Sequence, residues 1–241
     1  MKRFFRNSLA MLVVAASLSA VSPAKADITV GFDANDPYGS FMNVFDLDRT
    51  GALPAPGAAQ FSSGWGVGDA VAILDTGANT VTLTPNTIGD PDPYWYIGGG
   101  GPGALGNKWM DANTFVQASD GSLSGDTITF TGLVQSNTLT ANHTAVAFIR
   151  DFAPDFSSFT ESTVALTPGV FSVSLATDPG VGRNVQYGFN FQGENVWVTD
   201  VAPFGSVVVT SVTAVPEPGS MALLAIGATG VMVRRRRKSK A

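Results

Sequence analysis

The sequence predicts an all-β fold: a single β-sandwich of jelly-roll form over residues 27–214. Three observations lead there. About a dozen short runs rich in Val, Thr, Ile and Phe recur between turn residues; several alternate apolar with polar at a period of two; and no stretch of this region carries a convincing amphipathic helical stripe. Strands of this kind joined by long irregular loops are expected to close as two packed sheets.

In chain order, strands are expected at 28–32, 70–74, 80–84, 94–97, 114–118, 127–133, 144–151, 163–166, 170–176, 184–191, 196–199 and 206–213. The alternation is clearest in Thr127-Ile128-Thr129-Phe130-Thr131, which puts Ile128 and Phe130 on one face. Phe171, Val173 and Leu175 likewise oppose Val170, Ser172 and Ser174. Asp120-Gly121 and Asp178-Pro179-Gly180 supply turns between strands. Three stretches, 33–37, 50–68 and 86–111, read as loops, where a rigid sandwich usually carries its binding groups.

Charge is distributed unevenly. Residues 27–214 hold eighteen acids against four bases (Arg49, Lys108, Arg150 and Arg183), a formal balance of −14 hidden within an overall −5. Nucleic acid is excluded as a partner, because its binding rests on cationic neutralisation of phosphates. The chain has no cysteine, which removes disulfides, thiol catalysis and thiolate metal sites. Its single histidine, His143, limits acid–base chemistry almost as sharply.

Both ends read as addresses. Lys2, Arg3 and Arg6 precede an uncharged run, 9–21, and Ala24-Lys25-Ala26 supplies a small-x-small cleavage site. Residues 1–26 are therefore a signal peptide, and the exported chain begins at Asp27. At the other end, Pro216 and Pro218 hold Val215-Pro216-Glu217-Pro218 extended. The apolar run 219–233 covers about 22 Å as a helix, short of the ~30 Å hydrocarbon core. Arg234, Arg235, Arg236, Arg237 and Lys238 follow as a stop-transfer cluster. Residues 219–233 are expected to be a short transmembrane helix that holds the precursor transiently for a processing enzyme.

The motif 215–218, the span with Leu223-Leu224 and the basic tail 234–241, in that order, resemble the PEP-CTERM sorting signal of Gram-negative bacteria. The resemblance implies recognition by an exosortase, a membrane cysteine transpeptidase that cuts near Pro-Glu-Pro. It also implies export across the inner membrane to the cell surface or extracellular matrix, in a host that makes exopolysaccharide or biofilm.

The exported block offers few chemical constellations. Gly101-Pro102-Gly103-Ala104-Leu105-Gly106 has dinucleotide-loop spacing but opens no helical pattern, so it reads as a flexible loop. His143, in Asn-His-Thr at a strand start, reads as a turn or surface residue. No nucleophile–base arrangement can be assembled, so no catalytic residue is assigned and no enzyme is expected. Asp33, Asn35 and Asp36 are a candidate calcium set without EF-hand spacing, with solvated turn carboxylates as the competing reading. Trp65 and Trp109, in or beside Gly-rich loops, are the aromatics expected to be exposed for stacking on a sugar. The segments Val185-Gln186-Tyr187-Gly188-Phe189 and Gly193-Glu194-Asn195-Val196-Trp197, with 127–130 and 145–150, resemble late and middle strands of jelly-roll carbohydrate-binding modules. The expectation is a sorted matrix protein that binds or scaffolds exopolysaccharide. The alternatives are a matrix hydrolase using an Asp/Glu pair, or a purely structural surface protein.

Overall fold

The computed structural model describes residues 27–212. The signal segment 1–26, with Ala24 and Ala26, and the sorting segment, with Val215 to Pro218 and Arg234 to Lys238, lie outside the described residues. Among the described residues there are twelve strands: β1 (Asp27–Gly31), β2 (Gly39–Asp48), β3 (Ala55–Gly64), β4 (Ala72–Asp75), β5 (Thr80–Leu83), β6 (Lys108–Ala118), β7 (Thr127–Asn137), β8 (His143–Phe152), β9 (Phe159–Ala165), β10 (Gly169–Ala176), β11 (Asn184–Glu194) and β12 (Val207–Thr210).

They form two six-stranded sheets. In the first, β7 has β10 on one edge, while β1 and β12 share the other edge end to end. β5 and then β4 continue outward from β12. The second sheet runs β3-β2-β6-β11-β8-β9, antiparallel throughout. The eight consecutive strands β5 to β12 switch between sheets to give the orders 5-12-7-10 and 6-11-8-9. Those orders are two interlocked Greek keys, which make a jelly roll; β1 to β4 extend its sheets.

Alternation drives the packing. Ile128, Phe130 and Val134 of β7 meet Tyr187, Phe189 and Phe191 of β11 in the main core. Phe130 lies within 5.3–5.6 Å (ring centroids) of Phe171, Tyr187 and Phe189. A second core forms where the first sheet runs out: Met42, Val44, Met110 and Ala112 of β2 and β6 are covered by Ala70, Ile88 and Tyr96 from loops.

Four expectations are corrected. Residues 94–97 and 196–199 are not strands but turns tied by isolated bridges, Tyr96 to Gly106 and Thr87 to Val196. Pro91, Pro93 and the glycines from Gly98 break the ladder there, and Tyr96 plugs the second core, its hydroxyl donating to Ile88 O at 2.7 Å. Residues 39–48 form a strand that was not expected, and the expected loop 50–68 contains β3. β3 is an edge strand exposed along its length, so its Ala, Gly and Pro are tolerated. Finally, His143 is buried, packed between the Phe191 and Phe204 rings.

Candidate functional site

β6 and β11 alternate strictly. Val185, Tyr187, Phe189 and Phe191 point into the core, which leaves Gln186, Asn190 and Gln192 on the opposite, outer face of the second sheet. Met110 and Ala112 likewise point inward, leaving Asp111, Asn113, Phe115 and Gln117 outward. These two rows are paired directly, Gln186 with Gln117 and Asn190 with Asn113. A cleft of about 620 Å³ opens over them. It crosses β2, β6, β11, β8 and β9, about 19 Å at ~4.8 Å per strand spacing.

The cleft has aromatic walls and a polar floor. Phe41 and Phe115 line one side; Phe152, Phe156 and Phe159 line the other, with ring centroids 4.9 Å apart for Phe152–Phe159 and 5.4 Å for Phe152–Phe156. Phe41, Phe156 and Phe159 are 40%, 51% and 52% exposed. Phe156 sits in the turn between β8 and β9 at φ 58°, a left-handed conformation that glycine or asparagine would adopt at lower cost. The turn is held by Phe156 N–H donating to Ala153 O, and by Ser157 donating twice to Asp155. The structure thus accepts backbone strain to keep a ring at the lip.

The floor is a connected amide–carboxylate network. Asp111 accepts from Asn43 at 3.2 Å, from Asn113 at 3.2 Å and from Asn190. Asn113 Oδ1 in turn accepts from Asn190 at 2.9 Å and from Arg150 at 2.6 Å. Arg150 pairs with Glu161 at 2.5 Å and stacks 4.1 Å over the Phe148 ring. Gln186 donates to Gln117 at 2.7 Å. Asn113, Asn190 and Gln186 are buried although they stand on the outward face. Between Phe115 and Phe148 the outward position is Gly188, where any Cβ would meet Thr114 O at 2.1 Å. The sheet is closely packed at this point.

The residues expected to form a site lie elsewhere. Trp109 is buried, 8% exposed, between Phe45 and Glu194 on neighbouring strands. Trp65 is half-buried against the second core, and its indole N–H is buried without a partner. They do not converge on an open face, which corrects the expectation of exposed stacking rings. Asp33, Asn35 and Asp36 do share the turn between β1 and β2. There Asp33 accepts from the Asn35 backbone N–H and side-chain amide, both at 2.9 Å. These bonds, the backbone one first, hold the Asp33 carboxyl below its ordinary range. Partial burial, with the Asp33 charge, pushes Asp36 up. Oδ1 of Asp33 is engaged by the turn itself, and no group of three His, Asp or Glu side chains converges among the described residues.

A smaller cavity of about 400 Å³ lies at the other end, by the Gly-rich loop. Its buried Glu194 is held by Arg49 and Asn142, both at 2.5 Å. Gly101 to Gly106 form a pinned loop without a helix: Gly103 N–H donates to Asp200 at 2.6 Å, and a Cβ at Gly106 would meet Asn195 O at 1.9 Å. This corrects the reading of a flexible loop.

The cleft residues that sequence reasoning missed left a trace. Asp111, Asn113 and Gln117, and Gln186, Asn190 and Gln192, are polar at every second or fourth position of otherwise apolar strands. That pattern reads as a solvent face until strand order shows the two rows side by side.

Residues 214–237 match the family described as the PEP-CTERM protein-sorting motif. Neither a curated protein nor a solved structure gives a significant match. The motif marks an exported protein that is held by its C-terminus at the membrane and sorted by an exosortase.

Proposed function

We propose that this exported, exosortase-sorted chain resides in the extracellular polysaccharide matrix of a Gram-negative cell and acts there by binding, holding polysaccharide in the outer-face cleft. One observation carries the reading: phenylalanine rings wall a floor of buried amides on a rigid sheet. Flat rings pack on the apolar faces of sugars while placed amides bond hydroxyls. Asp111 is the sole carboxylate among the lining residues. Glycosidic cleavage ordinarily needs two flanking carboxyl groups, so the cleft favours retention over turnover.

The test is retention of the full chain, purified in detergent, on matrix polysaccharide extracted from the host, with an assay for released reducing ends. Retention without release is expected. Release of reducing ends would move the protein to the hydrolase class, and no retention would leave a purely structural role. Mass spectrometry of the protein recovered from the matrix is expected to find a C-terminus near Pro216-Glu217-Pro218; an intact Arg234–Ala241 tail would sink the matrix assignment.

A further inference from the structure

The cleft holds two charged side chains, and both are already partnered within the protein. Asp111 accepts three amides, from Asn43, Asn113 and Asn190. Arg150 is fixed on one side by Glu161 at 2.5 Å and on the other by Asn113 at 2.6 Å, with its guanidinium stacked over Phe148 and 5.8 Å from Phe159. Its side chain is 16% exposed. An arginine in a binding cleft invites reading as an anion receptor, since its planar fork matches carboxylate and sulfate. Here Glu161 already balances the charge, and two of the five N–H donors are taken before any ligand arrives.

What remains free is mixed in character. Gln186 Oε1 accepts nothing, while the Nη2 hydrogens of Arg150 and one amide hydrogen each of Asn43, Gln117 and Gln186 are unused. A face with both open donors and open acceptors is complementary to hydroxyl groups, which do both. A carboxylate offers acceptors only, and an ammonium donors only. The exported block's formal balance of −14 adds long-range repulsion against a polyanion.

Building on the polysaccharide reading above, we infer that the cleft takes an uncharged polysaccharide, and that Arg150 is a positioning residue for the Asn113 floor and the Phe159 wall. The ligand lies across the strands between Phe41 and Phe159, its sugar faces on the rings and its hydroxyls on the amides.

The experiment compares uncharged polymers (dextran, β-glucan, galactomannan) with anionic alginate and polygalacturonate and with cationic chitosan. The full chain in detergent is assayed by affinity electrophoresis at low and high salt. An uncharged polymer is expected to be retained, with affinity unchanged by salt, about tenfold weaker in Phe159→Ala. Arg150→Met, which keeps length and loses the bonds, is expected to weaken the same polymer without altering the behaviour of alginate. Salt-sensitive retention of alginate or polygalacturonate that Arg150→Met abolishes would overturn the charge assignment while leaving polysaccharide binding intact. Chitosan retained more tightly than every uncharged polymer, and weakened by Phe159→Ala, would overturn it too. Retention of none of these polymers, or of the host's own, sinks the underlying reading instead.

Discussion

The two faces of the second sheet are made by the same strands, residue by alternate residue, yet they are held together by different physics. The inner face of β11 places Val185, Tyr187, Phe189 and Phe191 against the first sheet, and none of these is more than 9% exposed. The outer face places Gln186 and Asn190 one position away, almost equally buried, at 6% and 5%. Burial on the inner face removes apolar surface from water and needs no partner. Burial on the outer face desolvates amides, which is tolerable only because each finds a hydrogen bond. The inner face therefore carries stability, and the outer face carries a preorganised floor whose own bonds hold it in place.

The comparison breaks first at Phe130. It is fully buried, and it touches three other rings. Phe130→Ala is expected to cost about 3–5 kcal/mol in urea unfolding, through lost transfer energy plus the cavity left behind. Retention of polysaccharide by the fraction still folded should be unchanged. If Phe130→Ala abolished retention while leaving stability intact, the division between the faces would be wrong.

A smaller effect is expected from the other side. Asn113→Leu fits an outer-face position without adding bulk to the core, but it takes one acceptor from Arg150 and Asn190 and one donor from Asp111. An unsatisfied buried polar group costs about 1–3 kcal/mol, and that is the expected loss of stability. Retention should fall as well, since the floor loses its central residue. A neutral or stabilising result would mean the network is incidental polar surface.

The same alternation decided what could be read from the chain. Thr127 to Thr131, Val170 to Leu175 and Val185 to Phe191 announce their faces, because one set is apolar and the other is not. β2 does not: Phe41, Met42, Val44 and Phe45 put apolar groups on both sides, since its inner face meets the second core and its outer face forms a cleft wall. The period of two disappears from the sequence for that reason. β3 was illegible for the opposite cause, as an exposed edge strand of Ala, Gly, Ser and Pro needs no apolar face at all.

The site was harder to read, because its residues are brought together only by strand order. Asn113 and Asn190 are 77 positions apart and meet because β6 lies beside β11. Trp65 and Trp109 misled because a tryptophan among glycines looks exposed, whereas the surface that the neighbouring chain covers is not written locally. The sorting motif at 214–237 was legible throughout, since it is contiguous and depends on no tertiary neighbour.

The smallest expected effect concerns the inner face's tolerance of charge, and His143 tests it. The ring lies at the end of that face, 4% exposed, with Nε2 2.9 Å from Glu194 O and Nδ1 buried without a partner. Burial is the largest influence on its pKa and lowers it from 6.5, against a smaller opposing pull from Glu194. The folded state therefore binds fewer protons than the unfolded state across the interval between the two pKa values. Stability is complete above the unfolded value of 6.5 and declines as pH falls through the interval below it. Carboxylates held below 3.8, such as Asp33 and Asp155, respond only at much lower pH. Asp36, pushed up, works in the opposite direction, so the effect of His143, the chain's only histidine, is isolated by comparing thermal unfolding at pH 7.5 and 5.5 with and without it. The midpoint is expected to be lower at pH 5.5, and His143→Gln, which can still donate to Glu194 O, should flatten the difference. A midpoint that rose toward pH 5.5 would mean that this end of the face stabilises a cation, and the contrast between an apolar inner and a polar outer face would end at β8's first residue.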